Sequence, residues 1–328
     1  MSRQAVWFTA PERVEVRDEI WPMPGAGEAA VRVLCSAINS GTEMLVYRGQ
    51  FPEGMAADET LSALSGALAY PLRYGYAAVG EVLEVGPGVE PGWRGRRVFA
   101  FQPHASGFTA RVDELLPVPD PVVVDDAVFL ANMETAVNFV QDGAPLLGER
   151  VAVYGQGVVG LLTTALLARQ PLADLCVVDG LAPRRTQALT LGAKRALDPK
   201  AAGALRDFDL VFECSGAPAA LDQAIATAGF AGRVVIGSWY GRKRVTLDLG
   251  GRFHRDRIRL LSSQVSTLDP TLSGRWSKAR RLDLAWQLLA QIQPSRFITQ
   301  RVPLAQAADA YALLATAPAE ALQILLVP

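Results

Sequence analysis

The sequence predicts an α/β protein of two domains, a β-rich barrel-like unit and a doubly wound parallel sheet. Three observations carry that prediction. Short apolar strands separated by glycine and proline turns fill the first third of the chain. Beyond Pro121 strands and helices alternate, and at the head of that alternation a G-x-G-x-x-G run follows a strand and opens a helix. A length of 328 residues suits two domains of about 150 residues each.

AVWFTAPERVEV places two apolar runs around Ala10-Pro11-Glu12, a hairpin signal. AAVRVLCSAI, AAVGEVLEVGPGV and RRVFAF read as further strands, punctuated by Gly86-Pro87-Gly88 and Pro91-Gly92. VVVDDAVFLANMETAVNFVQDGA reads as helical. Strands are then expected at 151–154, 175–179, 210–214 and 233–237, with helices over Val158 to Arg169, Arg184 to Leu191 and Pro218 to Ala228. A helix around 277–292, the strand FITQRVPL, the helix AQAADAYALLA and the strand ALQILLVP close the chain.

Gly155-Gln156-Gly157-Val158-Val159-Gly160 is the G-x-G-x-x-G run, set between the strand RVAVY and the helix VVGLLTTALLA. In that context Gly155 permits the tight turn, Gly157 lets a pyrophosphate approach the backbone, and Gly160 allows close helix–strand packing. The helix N-terminus supplies free N–H groups to the phosphates. Asp179 ends the next strand, 24 residues after Gly155. A carboxylate there accepts from both adenosine ribose hydroxyls and repels a 2′-phosphate, which favours NAD(H) over NADP(H). Arg184 and Arg185 follow closely and soften that preference or stack on adenine. A methyltransferase is a competing reading, because such folds also pair a glycine turn with an acidic strand end.

Composition narrows the classes. Half the residues are hydrophobic and 20% are charged, with mean hydropathy +0.18, which excludes a disordered chain. Lys+Arg 32 against Asp+Glu 33 gives no overall attraction for nucleic acid or acidic lipid. The three cysteines, Cys35, Cys176 and Cys214, sit in apolar runs as reduced thiols, and a reducing compartment, the cytosol, follows. The first residues carry no targeting pattern. The uncharged run 151–168 is broken by Gly155, Gln156, Gly157 and Gly160, so it is expected to be soluble core rather than a membrane span.

AINSGTEMLVYRG, RYGYAAVGEVLEVGPGV, GRRVFAF, GERVAVYGQGVVGL, LTLGAKRALDP, DLVFECSGAP, GRVVIGSW and ITQRVPLAQAADAYALL resemble, over essentially the full length, the medium-chain dehydrogenase/reductase superfamily. GSWYG, GRFHRDRIRLLSSQ and the later GRW are similar to the branch containing bacteriochlorophyllide hydroxyethyl dehydrogenase. The resemblance implies a GroES-like β-barrel catalytic domain over 1–120 and 266–328, and a Rossmann dinucleotide-binding domain over 121–265. It also implies cofactor contacts from Ser215 and Gly216 on the adenosine half. Ile236, Gly237 and Ser238, then Ser262, Ser263 and Gln264, are implied on the nicotinamide half.

Departures from the family pattern matter as much. Zinc members carry C-G-T-D, G-H-E and a later Cys or Glu; here Ser40-Gly41-Thr42-Glu43, Gly75-Tyr76-Ala77 and Ala131 stand at those positions. A catalytic zinc needs three protein ligands, and the structural zinc lobe is missing too, so no zinc is expected. Alcohol–ketone interconversion then needs a hydroxyl or imidazole donor. Tyr76, with Arg73 nearby, is a candidate proton donor; Thr42 matches the relay hydroxyl of zinc relatives. Of two histidines, His104 follows FAFQP, where the resemblance puts Gln102 beside the substrate, and His254 reads as structural. Glu43 and Glu134 read as structural carboxylates. A pocket between the domains is expected, lined by Thr42, Tyr76, Phe101, Gln102, His104 and Trp239.

Residues 242–281 hold eleven basic residues against Asp248, Asp256 and Asp269, a local net charge of +8. That segment suits an anionic small-molecule substrate, a solvated face or a subunit contact; nucleic acid is not expected, because stacking aromatics are not interleaved with the charges. The resulting reading is a zinc-independent, NAD(H)-dependent alcohol dehydrogenase or ketone reductase for a bulky secondary alcohol, a homodimer without membrane or nucleic-acid partners. A quinone or enone reductase and a catalytically silent dinucleotide sensor are the alternatives.

Overall fold

The computed structural model describes residues 2–328. The chain opens with β1 (Ser2–Ala10), β2 (Arg13–Ile20), β3 (Glu28–Ala37), α1 (Ser40–Tyr47), β4 (Ala78–Val85), β5 (Arg97–Ala100), β6 (Gly107–Arg111) and β7 (Leu116–Pro117). After α2 (Val124–Ala127) and α3 (Leu130–Gly143), strand and helix alternate: β8 (Arg150–Tyr154), α4 (Val158–Leu167), β9 (Asp174–Val178), α5 (Ala182–Thr190), β10 (Arg195–Leu197), α6 (Pro199–Ala202), β11 (Phe208–Glu213), α7 (Pro218–Thr227) and β12 (Ala228–Ile236). The last elements are β13 (Arg259–Ser262), α8 (Lys278–Ile292), β14 (Ile298–Pro303), α9 (Ala307–Thr316) and β15 (Gln323–Val327).

Two compact units divide the chain. The first runs up to Ala131 and resumes over Trp286–Pro328; the second is Asn132–Ala285. Both breaks fall inside helices, α3 and α8, rather than at the 120/121 and 265/266 positions that the resemblance implies. No glycine or proline marks either break, so the sequence offers no local signal there.

In the first unit β1 and β2 form the expected hairpin, turned at Glu12 in the left-handed region (φ +60°). The remaining strands make one seven-stranded sheet in the order β14-β15-β3-β4-β5-β7, with β6 also on β3. β3 is its spine, because alternate apolar residues Ala29, Val31 and Val33 pack with Val82, Val98, Phe108 and Leu115 into a buried cluster. The expected single helix over 122–144 is instead α2 and α3, separated at Val128-Phe129. Tertiary contacts override the local pattern there. The Asp126 carboxylate accepts the Ser295 N–H at 2.7 Å, and the Phe129 ring meets Phe297 edge-on at 6.3 Å.

The second unit holds six parallel strands in the order β10-β9-β8-β11-β12-β13, so the strand order reverses between β8 and β11. α4, VVGLLTTALL, is buried almost all round, which accounts for its uncharged sequence. Tyr154, Cys176, Phe208, Val211 and Val234 belong to the core on one face of this sheet. Cys35 and Cys176 are buried and Cys214 is half-buried, all as free thiols. Burial pushes the Cys35 thiol up to about 12 and Cys176 to about 11. Among the described residues no helix is long and apolar enough to cross a membrane.

Candidate active site

In open parallel sheets ligands bind outside the carboxyl ends of the strands, where the strand order reverses. That place in the second unit is the turn after β8. Gly155 has φ +89°, and a Cβ there would lie 2.7 Å from the Ser215 backbone nitrogen in the loop after β11. A Cβ on Gly160 would lie 1.9 Å from the Gly155 carbonyl oxygen, whereas one on Gly157 would meet nothing within 4 Å. Gly155 and Gly160 are thus required by packing. Gly157 leaves open the space that a pyrophosphate over the N-terminus of α4 needs, and the residues present fit such a group.

The side chains around this turn hold it in place. Asp179 Oδ2 accepts the Gln156 N–H at 2.7 Å and Oδ1 accepts the Leu181 N–H at 2.8 Å, tying the glycine turn to the end of β9. Arg184 lies near the Asp179 charge, although burial lowers its pKa, and Arg185 donates to the Asp179 and Gly180 carbonyls. Gln156 differs from the expectation of a cofactor contact by its side chain. The side chain is fully buried, donating to the Gly155 carbonyl at 3.1 Å and accepting from Thr164 Oγ1 at 3.0 Å. Its role is to brace the turn from within. Val158 is buried and Val159 half-buried at the start of α4.

Glu213, not singled out in the sequence, organises the next loop. Its buried carboxylate accepts the N–H groups of Ser215 (2.8 Å) and Gly216 (3.1 Å), the Ser215 hydroxyl, and the Tyr240 hydroxyl (2.9 Å). Its one sequence signal is an acidic residue closing the apolar strand LVFE. After β12, the Gly237 N–H donates to the Glu213 carbonyl at 3.0 Å, and Ser238 Oγ donates to the same oxygen at 3.4 Å. Gly237 is held flush against Phe139, whose ring a Cβ would meet at 2.2 Å. Ile236, Gly237, Ser238 and Trp239 are half-buried at this strand end.

Ser263 departs from its expected place on a cofactor. Its hydroxyl donates to Asp142 Oδ2 at 2.5 Å and accepts from Asn138 Nδ2 at 2.9 Å. Burial raises the Asp142 pKa. The same network contains Arg281, fully buried, which donates to Glu134 Oε1 at 2.9 Å, to Asn138 Oδ1 at 2.5 Å, and to the Val265 and Thr267 carbonyls. Glu134 is thus structural, as expected. Gln264 is exposed and bonds to Ser266.

The basic segment is largely engaged within the second unit. Besides Arg281, Arg252 pairs with Asp207 and Asp256, Lys243 Nζ donates to the Gly216 carbonyl at 2.8 Å, and Arg280 stacks on Trp276 at 4.1 Å. His254 is exposed. It lines a pocket of about 410 Å³ with Phe253, Arg257, Ile258, Arg259 and Ala231. That pocket lies near the start of β13, the sheet edge opposite the glycine turn.

Polar residues in the first unit gather around the first turn of α1. Tyr76 is half-buried, with the Thr42 side chain close enough to lower its pKa. Desolvation, chiefly, and the nearby Glu43 charge push the Tyr76 hydroxyl above the usual phenol range, against the effect of Thr42. The ring stands edge-on to Tyr74 at 6.2 Å. Arg73 does not serve Tyr76; it pairs with Glu19 at 3.4 Å and lies over Trp7. His104 departs from the expected pocket-lining position: its ring is 0% exposed. Nδ1 lies 2.8 Å from Ser36 Oγ and Nε2 lies 2.9 Å from Glu43 Oε2, so both nitrogens are engaged inside the unit. Phe101 and Gln102 are half-buried, with Phe101 edge-on to Phe99 at 5.1 Å.

The donor set does not fit a zinc ion. Ser40, Tyr76 and Ala131 stand where ligands are expected, and Glu43 and His104 are bonded to each other. Among the described residues no three His, Cys, Asp or Glu gather in a way that would hold a metal.

Comparison with known proteins bears on this geometry. The model of the family described as zinc-binding dehydrogenase matches residues 158–282. The 2-desacetyl-2-hydroxyethyl bacteriochlorophyllide A dehydrogenase of Rhodobacter capsulatus is 27% identical over 331 residues, spanning 95% of this chain and 94% of that protein. An alcohol dehydrogenase from Escherichia coli CFT073, solved with NADH, superimposes with TM-score 0.78 at 20% identity over 100% of this chain and 99% of that one. A Sinorhizobium meliloti protein solved with NADP has TM-score 0.79 at 22% identity over the full length of both chains.

Proposed function

Because the chain belongs to the medium-chain dehydrogenase/reductase superfamily, we propose that it is a zinc-independent, NAD(H)-dependent dehydrogenase interconverting a bulky secondary alcohol and its ketone. The observation that carries this reading is Tyr76, at a position where the resemblance puts a zinc ligand, beside Thr42, which matches the relay hydroxyl of zinc relatives. The Rhodobacter relative's name specifies a hydroxyethyl group on a bacteriochlorophyllide.

A bound nicotinamide supplies or receives the hydride. Around it this chain's residues have separate tasks. The open space at Gly157 and the N–H groups of α4 receive the pyrophosphate. Asp179 receives the adenosine ribose and disfavours a 2′-phosphate; to do so it exchanges one of its backbone partners for ribose hydroxyls. In the reducing direction Tyr76, kept protonated by its raised pKa, donates its proton to the carbonyl oxygen as the alkoxide develops. Thr42 then stabilises the tyrosinate by hydrogen bonding, and a proton taken up from solvent restores the Tyr76 hydroxyl.

As its partner we take a second copy of this chain. The outer edge of β13 carries no further strand among the described residues, and Phe230 and Leu249 are exposed on the same unit.

Cofactor titration followed by nicotinamide fluorescence, then a panel of secondary alcohols, ketones, enones and quinones, tests the reading. Turnover of an alcohol or ketone with NAD(H), without bound zinc, is expected. Stoichiometric zinc, preference for NADPH, or turnover confined to enones and quinones contradicts it.

A further inference from the structure

His104 and Glu43 have no task in the hydride or proton transfer described above, yet both are fully buried and bonded to each other. Glu43 lies on the first turn of α1 and is fully buried. Its Oε1 accepts the Asn39 N–H at 2.7 Å, and Oε2 accepts from both Tyr311 (2.5 Å) and His104 (2.9 Å). His104 is anchored on every side. Ser36 Oγ holds Nδ1, the His104 N–H donates to the Tyr74 carbonyl at 3.3 Å, and the His104 carbonyl accepts the Val6 N–H at 3.0 Å. Its ring lies flat on Gly75, where a Cβ would come within 2.6 Å of Cδ2 and Nε2. Gly75 also has φ +109°, so no other residue fits that spot without strain.

These contacts join two separate pieces of chain. Through Glu43 the imidazole holds the turn that carries Thr42; by packing on Gly75 it bears on the segment that carries Tyr76, which the His104 backbone N–H also ties through the Tyr74 carbonyl. The geometry points to His104 and Glu43 as positioning residues that set the Thr42–Tyr76 hydroxyl pair, a bridge inside the protein where a metal ion would otherwise tie these segments together. An ionised carboxylate only accepts, so Nε2 carries the proton and Nδ1 faces the Ser36 hydroxyl. Tyr311 and Glu43 complete the network, and removing the imidazole leaves Glu43 buried with one donor fewer.

The activity arm of the test rests on the proposed dehydrogenase reading; two spectroscopic arms do not. In 15N-histidine spectra of the intact protein His104 is expected to carry its proton on Nε2, facing Glu43, with Nδ1 accepting from the Ser36 hydroxyl. The 13Cζ tyrosine resonance lost in Tyr76→Phe is expected to move in His104→Leu and to return toward its original position in His104→Gln, whose amide restores the donor to Glu43. With a substrate in hand, His104→Leu should lower kcat by about 10- to 100-fold at unchanged KM and unchanged NADH binding, and His104→Gln should recover most of the loss. An Nδ1-protonated His104, an unmoved Tyr76 resonance, or full activity in His104→Leu overturns the proposal. A wild-type protein that turns over no alcohol or ketone contradicts the dehydrogenase reading, while the two spectroscopic arms still decide the bridge.

Discussion

In the second unit the groups that would meet a ligand are mostly backbone: a left-handed glycine, an open Gly157 and the N–H groups at the start of α4. In the first unit they are side chains, drawn from segments far apart in sequence and locked by a buried hydrogen-bonded network. The difference teaches how each fails. A backbone site is destroyed by added bulk, because nothing nearby can give way. A side-chain site is degraded by removing one partner, because the remaining groups keep their places but lose a constraint.

The largest effect is expected from Gly160→Val. Its Cβ would lie 1.9 Å from the Gly155 carbonyl, so the glycine turn must open, and NADH binding should be abolished in a fluorescence titration. Retained binding would show that the turn is not the cofactor site. Next stands Arg281→Ala, which leaves Glu134 buried without its cation. Loss of one partner of a buried pair costs about 3–5 kcal/mol, seen as a fall in the denaturant midpoint; a change of less than about 1 kcal/mol would mean the pair is already hydrated.

Tyr76→Phe removes only an oxygen, so the protein should fold and bind NADH as before while kcat falls by about 10- to 100-fold. An unchanged rate would move the proton donor elsewhere. Asp179→Asn is milder. It keeps the shape but removes the charge and turns one of the two oxygens that accept the Gln156 and Leu181 N–H groups into a donor, so NADH binding should weaken by about tenfold and NADPH binding should rise, a charge-assisted hydrogen bond being about twice as strong as a neutral one. Equal affinities before and after would remove Asp179 from cofactor choice. Smallest of all is the effect of a thiol alkylating agent at mildly alkaline pH. With Cys35 pushed up to about 12, Cys176 to about 11, and Cys214 raised by burial as well, none of the three holds appreciable thiolate, and activity should survive treatment.

The same contrast explains what the sequence disclosed. Gly155, Gly157, Gly160 and Asp179 lie close along the chain and obey local rules of turn geometry, so their places were legible. The Glu43–His104 and Glu43–Tyr311 contacts join residues 61 and 268 positions apart, and no spacing rule connects them. His104 was legible as one of two imidazoles near Gln102, but its burial was not, because the loop after β5 carries no burial signal of its own. Ser263 and Gln156 read as cofactor contacts since they sit at strand ends. Only the packed fold shows that Asp142, Asn138 and Thr164 claim their side chains first. The unit boundaries were hidden for a related reason: they fall inside α3 and α8, where helix periodicity continues unbroken.

The central claim is that a hydroxyl pair, braced by an internal histidine–carboxylate bridge, takes the place of a metal. The most direct measurement is the rate of NADH oxidation with the best ketone of the panel, before and after exhaustive treatment with a strong zinc chelator. An unchanged rate is expected. Loss of activity on chelation, restored by added zinc, would contradict the claim.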